Sequence, residues 1–425
     1  MADRVIVVGG GPAGLLAARR HARRGAAVTV LEAGSGWGGR VSPLHAAGLT
    51  LDAGAESFAT RTAAVADLAR ELGMADDVVA PEPGPAWVVT PDRAYALPEA
   101  GWLGIPTRPL APDVRAVLGW GGAVEAALER STPLGELRDD ATVGSLVRAR
   151  LGPRAAELLV APVVQGIYSR PLDQIPLTAI DPTLPRQLRE AGSLTALAAR
   201  RRALSPAGSA VQGIAGGMWR LTAALAGAAR SAGAHLVERT PADGVERRDG
   251  AWRVRAGGGT LIADTLVLAV PRVEARGLVP ELPEPPAERR VALVTLVLDA
   301  PELDAAPRGS GVLAQGGVTR AKALTHATAK WRWLREAAGG RHVVRLSYSV
   351  SDPDEDLAGH ARADASRLLG IDLGPERVLS TTAVGWPDAA PGRVADTRPL
   401  EGLELVGSAA GLSGLAAIAG ADAEA

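Results

Sequence analysis

Three glycines near the start of the chain have the residue type and the spacing that bind a phosphate. Gly9, Gly11 and Gly14 form a G-x-G-x-x-G pattern directly after the β-branched, apolar run at residues 5–8. The first glycine permits a tight turn, the second lets the backbone approach a pyrophosphate, and the third lets helix and strand pack closely. The N-terminus of the helix that follows would face the phosphate charge. The pattern therefore predicts a dinucleotide-binding turn between a buried strand and a helix.

An acid follows at the position where a dinucleotide fold binds a ribose. The apolar run at residues 27–31 predicts a second strand, and that strand ends in Glu32. A carboxylate there can accept hydrogen bonds from the ribose diol, and it disfavours a 2′-phosphate. We therefore expect a Rossmann-type unit in which Glu32 binds the adenosine ribose.

A second glycine turn narrows the dinucleotide to FAD. Gly38, Gly39 and Arg40 come shortly after the ribose acid, and the segment L-D-A-G-A-E-S-F follows at residues 51–58. A nicotinamide cofactor has no need of this turn, whereas the longer FAD must pass along more backbone. Arg40 can donate charge-assisted hydrogen bonds to the pyrophosphate, and small residues at 54–57 allow the backbone to approach the flavin. The alternative for the second glycine turn is an ordinary surface turn.

Composition is that of an ordinary globular protein. At 425 residues the chain is long enough for two domains or three, and a hydrophobic content of 47% supports full-sized cores. A net charge of −1 argues against a nucleic-acid binder. The first apolar run is a strand rather than a signal peptide, and no stretch of about 18 apolar residues lacks charges or helix breakers. We therefore expect no transmembrane segment.

Several other kinds of site are excluded by residue type. The chain has no cysteine, which rules out disulfides, iron–sulfur clusters, thiolate zinc sites and a cysteinyl-linked flavin. Its six histidines form no metal-ligand cluster in the sequence, and no two carboxylates stand at catalytic spacing. We therefore expect FAD to be held non-covalently and no metal to be bound. A reducing cytosol is compatible with this composition, and we predict a cytoplasmic location.

Cofactor-like segments alternate with other segments along the chain. The sequence predicts helices at 63–72, 142–150, 155–164 and 187–202, loops and short strands at 81–121, a loop feeding a helix at 213–225, a meander at 235–238, 252–256 and 265–270, strands of another sheet at 291–298 and 342–350, and a last strand at 403–407. We predict FAD-binding blocks at 1–75, 210–271 and 385–425, a mostly helical substrate part at 76–209 and a substrate-domain sheet at 272–384. The fold class is therefore α/β, with a Rossmann-type FAD-binding domain of the GR2-like kind interwoven with a mixed α+β substrate domain.

Five segments resemble bacterial protoporphyrinogen and coproporphyrinogen III oxidases, a branch of the flavin amine oxidase superfamily. They are L-D-A-G-A-E-S-F-A-T-R at 51–61, V-V-Q-G-I-Y-S-R-P-L-D-Q-I at 163–175, G-G-M-W-R-L at 216–221, A-K-A-L-T-H-A-T-A-K-W at 321–331 and L-V-G-S-A-A-G-L-S-G-L at 405–415. The G-G-M segment is shared across the superfamily. The G-I-Y and A-K-W segments point to the porphyrinogen branch.

The resemblance implies an oxygen-dependent oxidase of haem biosynthesis. Enzymes of this branch remove hydride from a ring carbon to flavin N5 and pass the electrons to dioxygen, so we expect no catalytic side chain. The absence of a long apolar anchor and a composition rich in Ala, Arg and Gly favour coproporphyrinogen III over protoporphyrinogen IX. Contacts with downstream haem-pathway enzymes and with a membrane surface stay open. The expected partners are therefore a tetrapyrrole and dioxygen.

The resemblance also assigns residues to cofactor and substrate. The expected FAD-binding residues are Gly9, Gly11, Pro12, Ala13, Gly14, Glu32, Ala33, Gly38, Gly39, Arg40, Gly54, Ala55, Glu56, Ser57, Ala242, Gly407, Ser408, Gly414 and Leu415. Ala242 would lie against the adenine, and the last four would meet the ribityl chain and the pyrimidine edge. Arg61, Ile167, Tyr168 and Arg170 are the substrate candidates, with ordinary packing or solvation as their alternative. For Lys330 an ion pair is favoured over catalysis.

Two departures from the branch keep other functions open. Arg170 stands where relatives have glycine, so it can clamp a propionate or block the pocket, and the stretch 386–403 is shorter than in the family. The alternatives are a protoporphyrinogen IX oxidase, another FAD-dependent amine oxidase or desaturase, a non-catalytic flavoprotein, and an NAD-binding module.

Overall fold

The computed structural model describes residues 2–135, 137–138, 140–168, 170–204, 210–285, 289–350, 355–388 and 400–425. Its strands are β1 (Arg4–Val8), β2 (Ala27–Leu31), β3 (Pro43–Ala46), β4 (Leu49–Asp52), β5 (Phe58–Ala59), β6 (Val78–Val79), β7 (Ala86–Val89), β8 (Ala94–Ala96), β9 (Gly101–Trp102), β10 (Ile105–Pro106), β11 (Val211–Ile214), β12 (His235–Val237), β13 (Ala242–Arg248), β14 (Ala251–Ala256), β15 (Gly259–Ala263), β16 (Thr265–Leu268), β17 (Arg289–Leu298), β18 (Gly311–Ala314), β19 (Ala323–His326), β20 (His342–Val350), β21 (Val378–Asp388) and β22 (Leu403–Leu405). Its α-helices are α1 (Pro12–Arg23), α2 (Ala64–Glu71), α3 (Pro112–Leu128), α4 (Val143–Leu151), α5 (Pro153–Ala155), α6 (Ala161–Tyr168), α7 (Leu177–Ile180), α8 (Leu184–Ala191), α9 (Leu194–Leu204), α10 (Trp219–Ser231), α11 (Arg272–Leu278), α12 (Ala327–Lys330), α13 (Arg332–Ala338), α14 (Leu357–Leu369) and α15 (Leu415–Glu424).

A five-stranded parallel sheet carries the predicted cofactor turns. Its strand order is β12-β2-β1-β16-β22, and every neighbouring pair is parallel. Side chains of β1 alternate between the two faces: Val5 and Val7 pack with α1 and α10, while Ile6 and Val8 pack with β14 and α11. Both faces are covered, which explains why β1 and β2 are almost wholly apolar. Three separated parts of the chain thus build one Rossmann-type sheet, and the exact boundaries of the five blocks stay a prediction.

A second, seven-stranded sheet has the order β21-β17-β20-β19-β18-β7-β8. Its pairs are antiparallel except for β18 with β7. The strand β17 lies between β20 and β21, where Val294 pairs with Leu346 on one side and Ala383 on the other. Leu368 of α14 packs in the same apolar cluster as Val294 and Leu346. The predicted strands at 291–298 and 342–350 are therefore neighbours in this sheet.

Helices α3 to α9, which lie between β10 and β11 in the chain, form a separate apolar core. A buried ion pair stabilises this core, because Arg150 Nη2 lies 2.8 Å from Glu129 Oε1 and the Glu129 side chain is fully buried. The same carboxylate oxygen accepts the Leu194 amide at 2.7 Å, so it also holds the start of α9. A π-helical turn at Ala156–Val160 joins α5 to α6.

Three predictions of secondary structure are wrong. The proposed meander does not exist, because β12 and β16 belong to the parallel sheet while β14 pairs with β13 and β15 in a separate antiparallel sheet. Gly192, with φ of +74°, ends α8 before α9 begins, so 187–202 is not one helix. The stretch 81–121 ends in a helix, since Pro112 begins α3.

Candidate functional site

The first glycine turn leaves a helix N-terminus open toward the edge of the parallel sheet. Gly9 has φ of +105°, and a Cβ on Gly14 would lie 1.9 Å from the Gly9 carbonyl oxygen, so neither position has room for a side chain. Gly11 precedes α1, no side chain caps this helix, and its first turn holds no acid. Among the residues that the structure describes, no side chain accepts a hydrogen bond from the amides of that turn, and the helix dipole favours an anion there. These features fit the pyrophosphate of a dinucleotide.

Glu32 lies at the carboxyl ends of the two central strands, as the sequence predicts. Its Oε2 accepts the Gly10 amide at 2.8 Å, and its Oε1 accepts the Gly34 amide at 2.7 Å. The Thr240 amide donates to the Glu32 carbonyl at 2.8 Å, which brings the segment that leads to Ala242 beside Glu32 and the exposed Ala33. The ribose and adenine contacts of these residues stay predictions, and their shared location is consistent with both.

The second glycine turn packs directly on the first. Gly38 and Gly39 have φ of +119° and +51°, conformations that a residue with a side chain rarely adopts. The Gly38 amide donates to the Gly10 carbonyl at 2.9 Å, and the Cβ position of Gly39 is 3.7 Å from the Gly11 Cα. Two glycine-rich backbones thus border one space, which is the arrangement that an extended pyrophosphate needs.

The guanidinium of Arg40 donates through Nη2 to the carbonyl of Pro387. Pro387 lies in β21, so Arg40 connects the second glycine turn to the end of that strand. The pyrophosphate contact expected of Arg40 stays a prediction. Nearby, Trp386 Nε1 donates to the Ala53 carbonyl at 3.3 Å. The described part of β21 therefore closes over the segment expected to meet the flavin, whereas 389–399, the larger part of the shortened stretch, lies outside the described residues.

The side chain of Glu56 contacts two cations, one from α12 and one from β20 of the seven-stranded sheet. Its Oε1 lies 2.5 Å from Lys330 Nζ, and its Oε2 lies 3.0 Å from Arg345 Nη1. Burial alone would raise the pKa of Glu56, but the charges of Lys330 and Arg345 lower it below its ordinary value. Arg345 Nη2 also donates to the Gly54 carbonyl at 2.6 Å. Glu56 therefore fixes the backbone at 54–57, and Lys330 forms the ion pair that the sequence favoured.

Asp52 is a site residue that the sequence reasoning missed. Its carboxylate is 7% exposed and accepts the amides of Met218 at 3.1 Å and Trp219 at 2.9 Å, where α10 begins. Burial raises its pKa to about 6, although the two amides partly offset that shift. An aspartate that ends an apolar strand directly before A-G-A-E-S was a signal in the sequence. It joins the first FAD block to the G-G-M-W segment.

The A-K-W segment packs on the second FAD block. Trp331 is 2% exposed, and its ring carbon Cη2 is 2.8 Å from the Cβ position of Gly213. A side chain at Gly213 would therefore displace the indole. This contact and the Glu56–Lys330 pair bring three of the five family-like segments, or their immediate neighbours, into one region.

The closing turn at 407–415 lies against the start of α1. Gly407 has φ of +60°, and its Cβ position is 2.6 Å from the Ala13 Cβ, so it packs on the first glycine turn beside Pro12. Ser408 Oγ donates to the Val270 carbonyl at 3.4 Å. Gly414, with φ of +83°, precedes α15, which begins at Leu415 without a side-chain cap. Gly407 therefore adjoins the first glycine turn, and the ribityl contact expected of the four residues stays a prediction.

The substrate candidates lie around the end of α6. Tyr168 is half-buried, and burial raises the pKa of its hydroxyl while the positive charge of Arg61 lowers it, which places Arg61 near Tyr168. Ile167 is 59% exposed, and Arg170 is exposed directly beyond the helix. The positive charge of Arg61 thus acts on the Tyr168 hydroxyl, and Ile167 and Arg170 are exposed at the end of α6.

The residues that the structure describes hold no candidate metal-binding cluster and no candidate transmembrane helix. Within them, no group of three or more His, Asp or Glu side chains could hold a metal ion. None of the helices in this part of the chain is long and apolar enough to cross a membrane.

Comparison with known proteins gives the family. A model for flavin-containing amine oxidoreductases matches residues 12–394. A coproporphyrinogen III oxidase of Propionibacterium freudenreichii is 30% identical over 416 residues, which cover 86% of this chain and 77% of that protein. The coproporphyrinogen III oxidase of Bacillus subtilis is 24% identical and covers 91% of this chain and 87% of its own length.

Solved structures agree on the fold. A candidate protoporphyrinogen oxidase from an Exiguobacterium species has a TM-score of 0.83 at 24% identity and covers 99% of this chain and 97% of its own. A putrescine oxidase has a TM-score of 0.65 at 16% identity, covering 100% and 98%. Joined to the dinucleotide turn, the open N-terminus of α1 and the paired glycine-rich backbones, the family match makes FAD the cofactor and the chain an oxidoreductase. The chain belongs to the flavin-containing amine oxidoreductase family.

Proposed function

We propose that this protein oxidises coproporphyrinogen III to coproporphyrin III in haem biosynthesis, with FAD as cofactor and dioxygen as acceptor. Similarity to a coproporphyrinogen III oxidase over 86% of the chain supports the substrate. The structural observation that carries the proposal is the partly buried ion pair of Glu56 with Lys330. It joins the two segments, A-G-A-E-S-F and A-K-W, whose sequences resemble the porphyrinogen branch.

The chain contributes binding and orientation, because FAD itself supplies the hydride acceptor at flavin N5 when bound. The open amides at the start of α1 suit the pyrophosphate, and Glu32 suits the ribose. Glu56, held by Lys330 and Arg345, keeps the backbone at 54–57 in one position. A fixed backbone lets the ring of a substrate approach the flavin in one orientation, which is how positioning lowers a barrier.

Charge near the end of α6 suits the carboxylates of the substrate. Arg61 lies near the hydroxyl of Tyr168, and Arg170 follows the same helix. A guanidinium and a phenol can together donate several hydrogen bonds to a propionate. Two arginines can bind propionates of either porphyrinogen, so the choice of coproporphyrinogen III rests on the similarity to coproporphyrinogen III oxidases. Dioxygen as acceptor, contact with downstream haem-pathway enzymes and a cytoplasmic location stay predictions.

The experiment that tests the proposal is anaerobic mixing of FAD-loaded protein with coproporphyrinogen III and, separately, with protoporphyrinogen IX. We expect bleaching of the flavin and porphyrin fluorescence with the first, and a much slower reaction with the second. Faster reaction with protoporphyrinogen IX would move the assignment to that substrate. Bleaching by an amine or a polyene but by neither porphyrinogen would make the protein another oxidase, and no bleaching at all would indicate a non-catalytic flavoprotein.

Matched arginine variants test the binding surface. Arg61→Gln and Arg170→Gln should each raise KM for coproporphyrinogen III about tenfold with little change in kcat, because a charged hydrogen bond is lost. Arg189→Gln, an exposed arginine on α8, is the control and should leave KM unchanged. An Arg170→Gln variant with lower KM would mean that Arg170 obstructs the pocket.

A further inference from the structure

A cleft of about 610 Å³ at the β8 edge of the seven-stranded sheet is lined by four arginines. Arg93 comes from the turn between β7 and β8, and Arg308 from the turn before β18. Arg362 and Arg367 come from α14. We call this feature the arginine cleft.

Ion pairs do not neutralise these four charges. Among the residues that the structure describes, no carboxylate oxygen lies within 4.0 Å of any of the four guanidiniums. Asp92 and Asp372 line the same cleft, so its wall carries two negative charges against four positive ones. Charged side chains that gather without partners are uncommon in proteins, since their mutual repulsion opposes folding.

Each guanidinium is instead anchored to a backbone carbonyl. Arg93 Nη2 donates to Val117 O at 2.9 Å, Arg308 Nη1 to Leu368 O at 2.6 Å, Arg362 Nη1 to Leu373 O at 2.6 Å, and Arg367 Nη2 to Pro91 O at 3.3 Å. These bonds use one nitrogen of each guanidinium, and an arginine has five N–H donors in a rigid fork. The anchoring holds the charges in place, and it leaves other donors for a ligand.

Arg308 is the most constrained of the four. Its Nη2 lies 2.4 Å from the Cβ position of Gly370, so the guanidinium packs on the turn that ends α14. Burial and the charge of Arg367 both lower the pKa of Arg308. A bound anion would offset the repulsion between Arg308 and Arg367, and its hydrogen bonds would replace the water that burial removes from Arg308.

We propose that the arginine cleft binds a small polyanion that carries two or more carboxylate or phosphate groups. Its volume suits a small molecule, and guanidinium forks match both kinds of oxyanion. The cleft is separate from the FAD region, because β8 and β21 are opposite edges of the sheet and it is Trp386 of β21 that contacts Ala53. None of its lining residues belongs to the predicted cofactor or substrate set. The site is therefore a second one.

The test is calorimetric titration of the FAD-loaded protein with pyrophosphate and with citrate, at an ionic strength held constant with chloride. We expect saturable binding of at least one of them; pyrophosphate alone would indicate a phosphate ligand, and citrate alone a carboxylate ligand. Arg93→Gln and Arg367→Gln should each weaken binding about tenfold, since a hydrogen bond to a charged group is lost. Arg93→Lys and Arg367→Lys should restore part of that loss.

Arg70→Gln, an exposed arginine of α2, is the control and should bind as the parent protein does. Arg93 and Arg367 are both exposed, so their variants should melt within a few degrees of the parent, and the melting temperature of each is measured alongside. Absence of binding by both anions would overturn the proposal. Equal binding by the parent and by both glutamine variants would overturn it as well.

Discussion

Glu56 and Lys330 are 274 positions apart in the chain, yet Glu56 Oε1 and Lys330 Nζ lie 2.5 Å apart in a partly buried pair. The pair joins the segment expected to face the flavin to the short helix α12, which lies in the predicted substrate-domain part of the chain. Arg345 from β20 contacts the other carboxylate oxygen at 3.0 Å. One carboxylate thus contacts two cations, one from α12 and one from β20, and so links both elements to the segment at 54–57.

Replacing this carboxylate should destabilise the protein strongly. Glu56→Gln leaves the buried Arg345 and the partly buried Lys330 without a counter-ion, so we expect the free energy of unfolding to fall by about 3 kcal/mol, the lower end of the cost of breaking a buried ion pair. Glu82→Gln is the matched control, because Glu82 also contacts two arginines but those are half-exposed or more. It should cost less than about 1 kcal/mol. Urea denaturation of the FAD-loaded proteins measures the free energy of unfolding of both variants. Equal losses would show that the contacts of Glu56 stabilise the protein no more than those of Glu82.

Glycine-to-alanine variants can show whether the space beside a glycine is kept free for the cofactor or is required by the fold. A Cβ on Gly11 meets no atom within 4 Å, so Gly11→Ala should leave the FAD-free protein as stable as the parent. If the pyrophosphate occupies that space, the methyl group should weaken FAD binding at least about tenfold, or 1.4 kcal/mol. Gly36→Ala is the control, since Gly36 has equal room and no expected cofactor contact. Flavin fluorescence titration measures the FAD affinity of both variants. Unchanged FAD binding by Gly11→Ala would contradict the prediction that the pyrophosphate lies beside Gly11.

The parallel sheet followed from the sequence because its information is local. A run of β-branched residues, three glycines at fixed spacing and an acid after the next strand occupy residues 5–32, and the structure places β1, α1 and β2 there. The meander failed for the opposite reason. The strands β12, β14 and β16 have similar apolar content, and only long-range pairing decides that β12 and β16 join β2 and β1 while β14 does not.

The site divides in the same way between backbone and side-chain contacts. Close approaches at Gly14 and Gly39 were predictable, since glycine spacing reports backbone geometry. The partners of Glu56 and Arg40 were not, because a charged side chain can reach any of several neighbours brought close by folding. Asp52 was missed although it ends the apolar strand before A-G-A-E-S, because its partners, the amides of Met218 and Trp219, are brought to it only by folding. Arg345 in β20 was missed as well, because its partners, the Glu56 carboxylate and the Gly54 carbonyl, are distant in the sequence.

Asp52 should make stability fall as the pH rises. Its pKa is raised from 3.8 to about 6, so between these values the folded protein binds more protons than the unfolded chain. By linkage, the stabilisation that protonated Asp52 contributes is fully present below pH 3.8. It is lost as the pH rises through 6, and the free energy of unfolding falls by about 3 kcal/mol in total. Asp52→Asn should therefore gain stability relative to the parent as the pH rises from about 4 to about 7, measured by urea denaturation at saturating FAD. Asp67→Asn, an exposed aspartate, should show no such trend, and a parallel profile for Asp52→Asn would refute the assignment.

His326 should give the opposite dependence, because its imidazole is buried in its neutral form. Its Nε2 lies 3.1 Å from His342 Nδ1, whose ring in turn lies 3.1 Å from Asp304 Oδ1 through Nε2. Burial, and the neighbouring charge of His342, lower the pKa of His326 to about 4. Between pH 6.5 and 4 the unfolded chain therefore binds the extra proton, and stability falls as the pH falls, by about 3 kcal/mol over the window.

His326→Gln removes this titration, so its stability relative to the parent should rise as the pH falls from 6.5 to 4. His360→Gln on α14 is the control, since His360 is exposed and its replacement should leave the profile of the parent unchanged. Equal acid slopes for His326→Gln and the parent would mean that His326 is protonated in the folded state. In that case the His342–Asp304 contact, rather than burial, would set the charge of the pair.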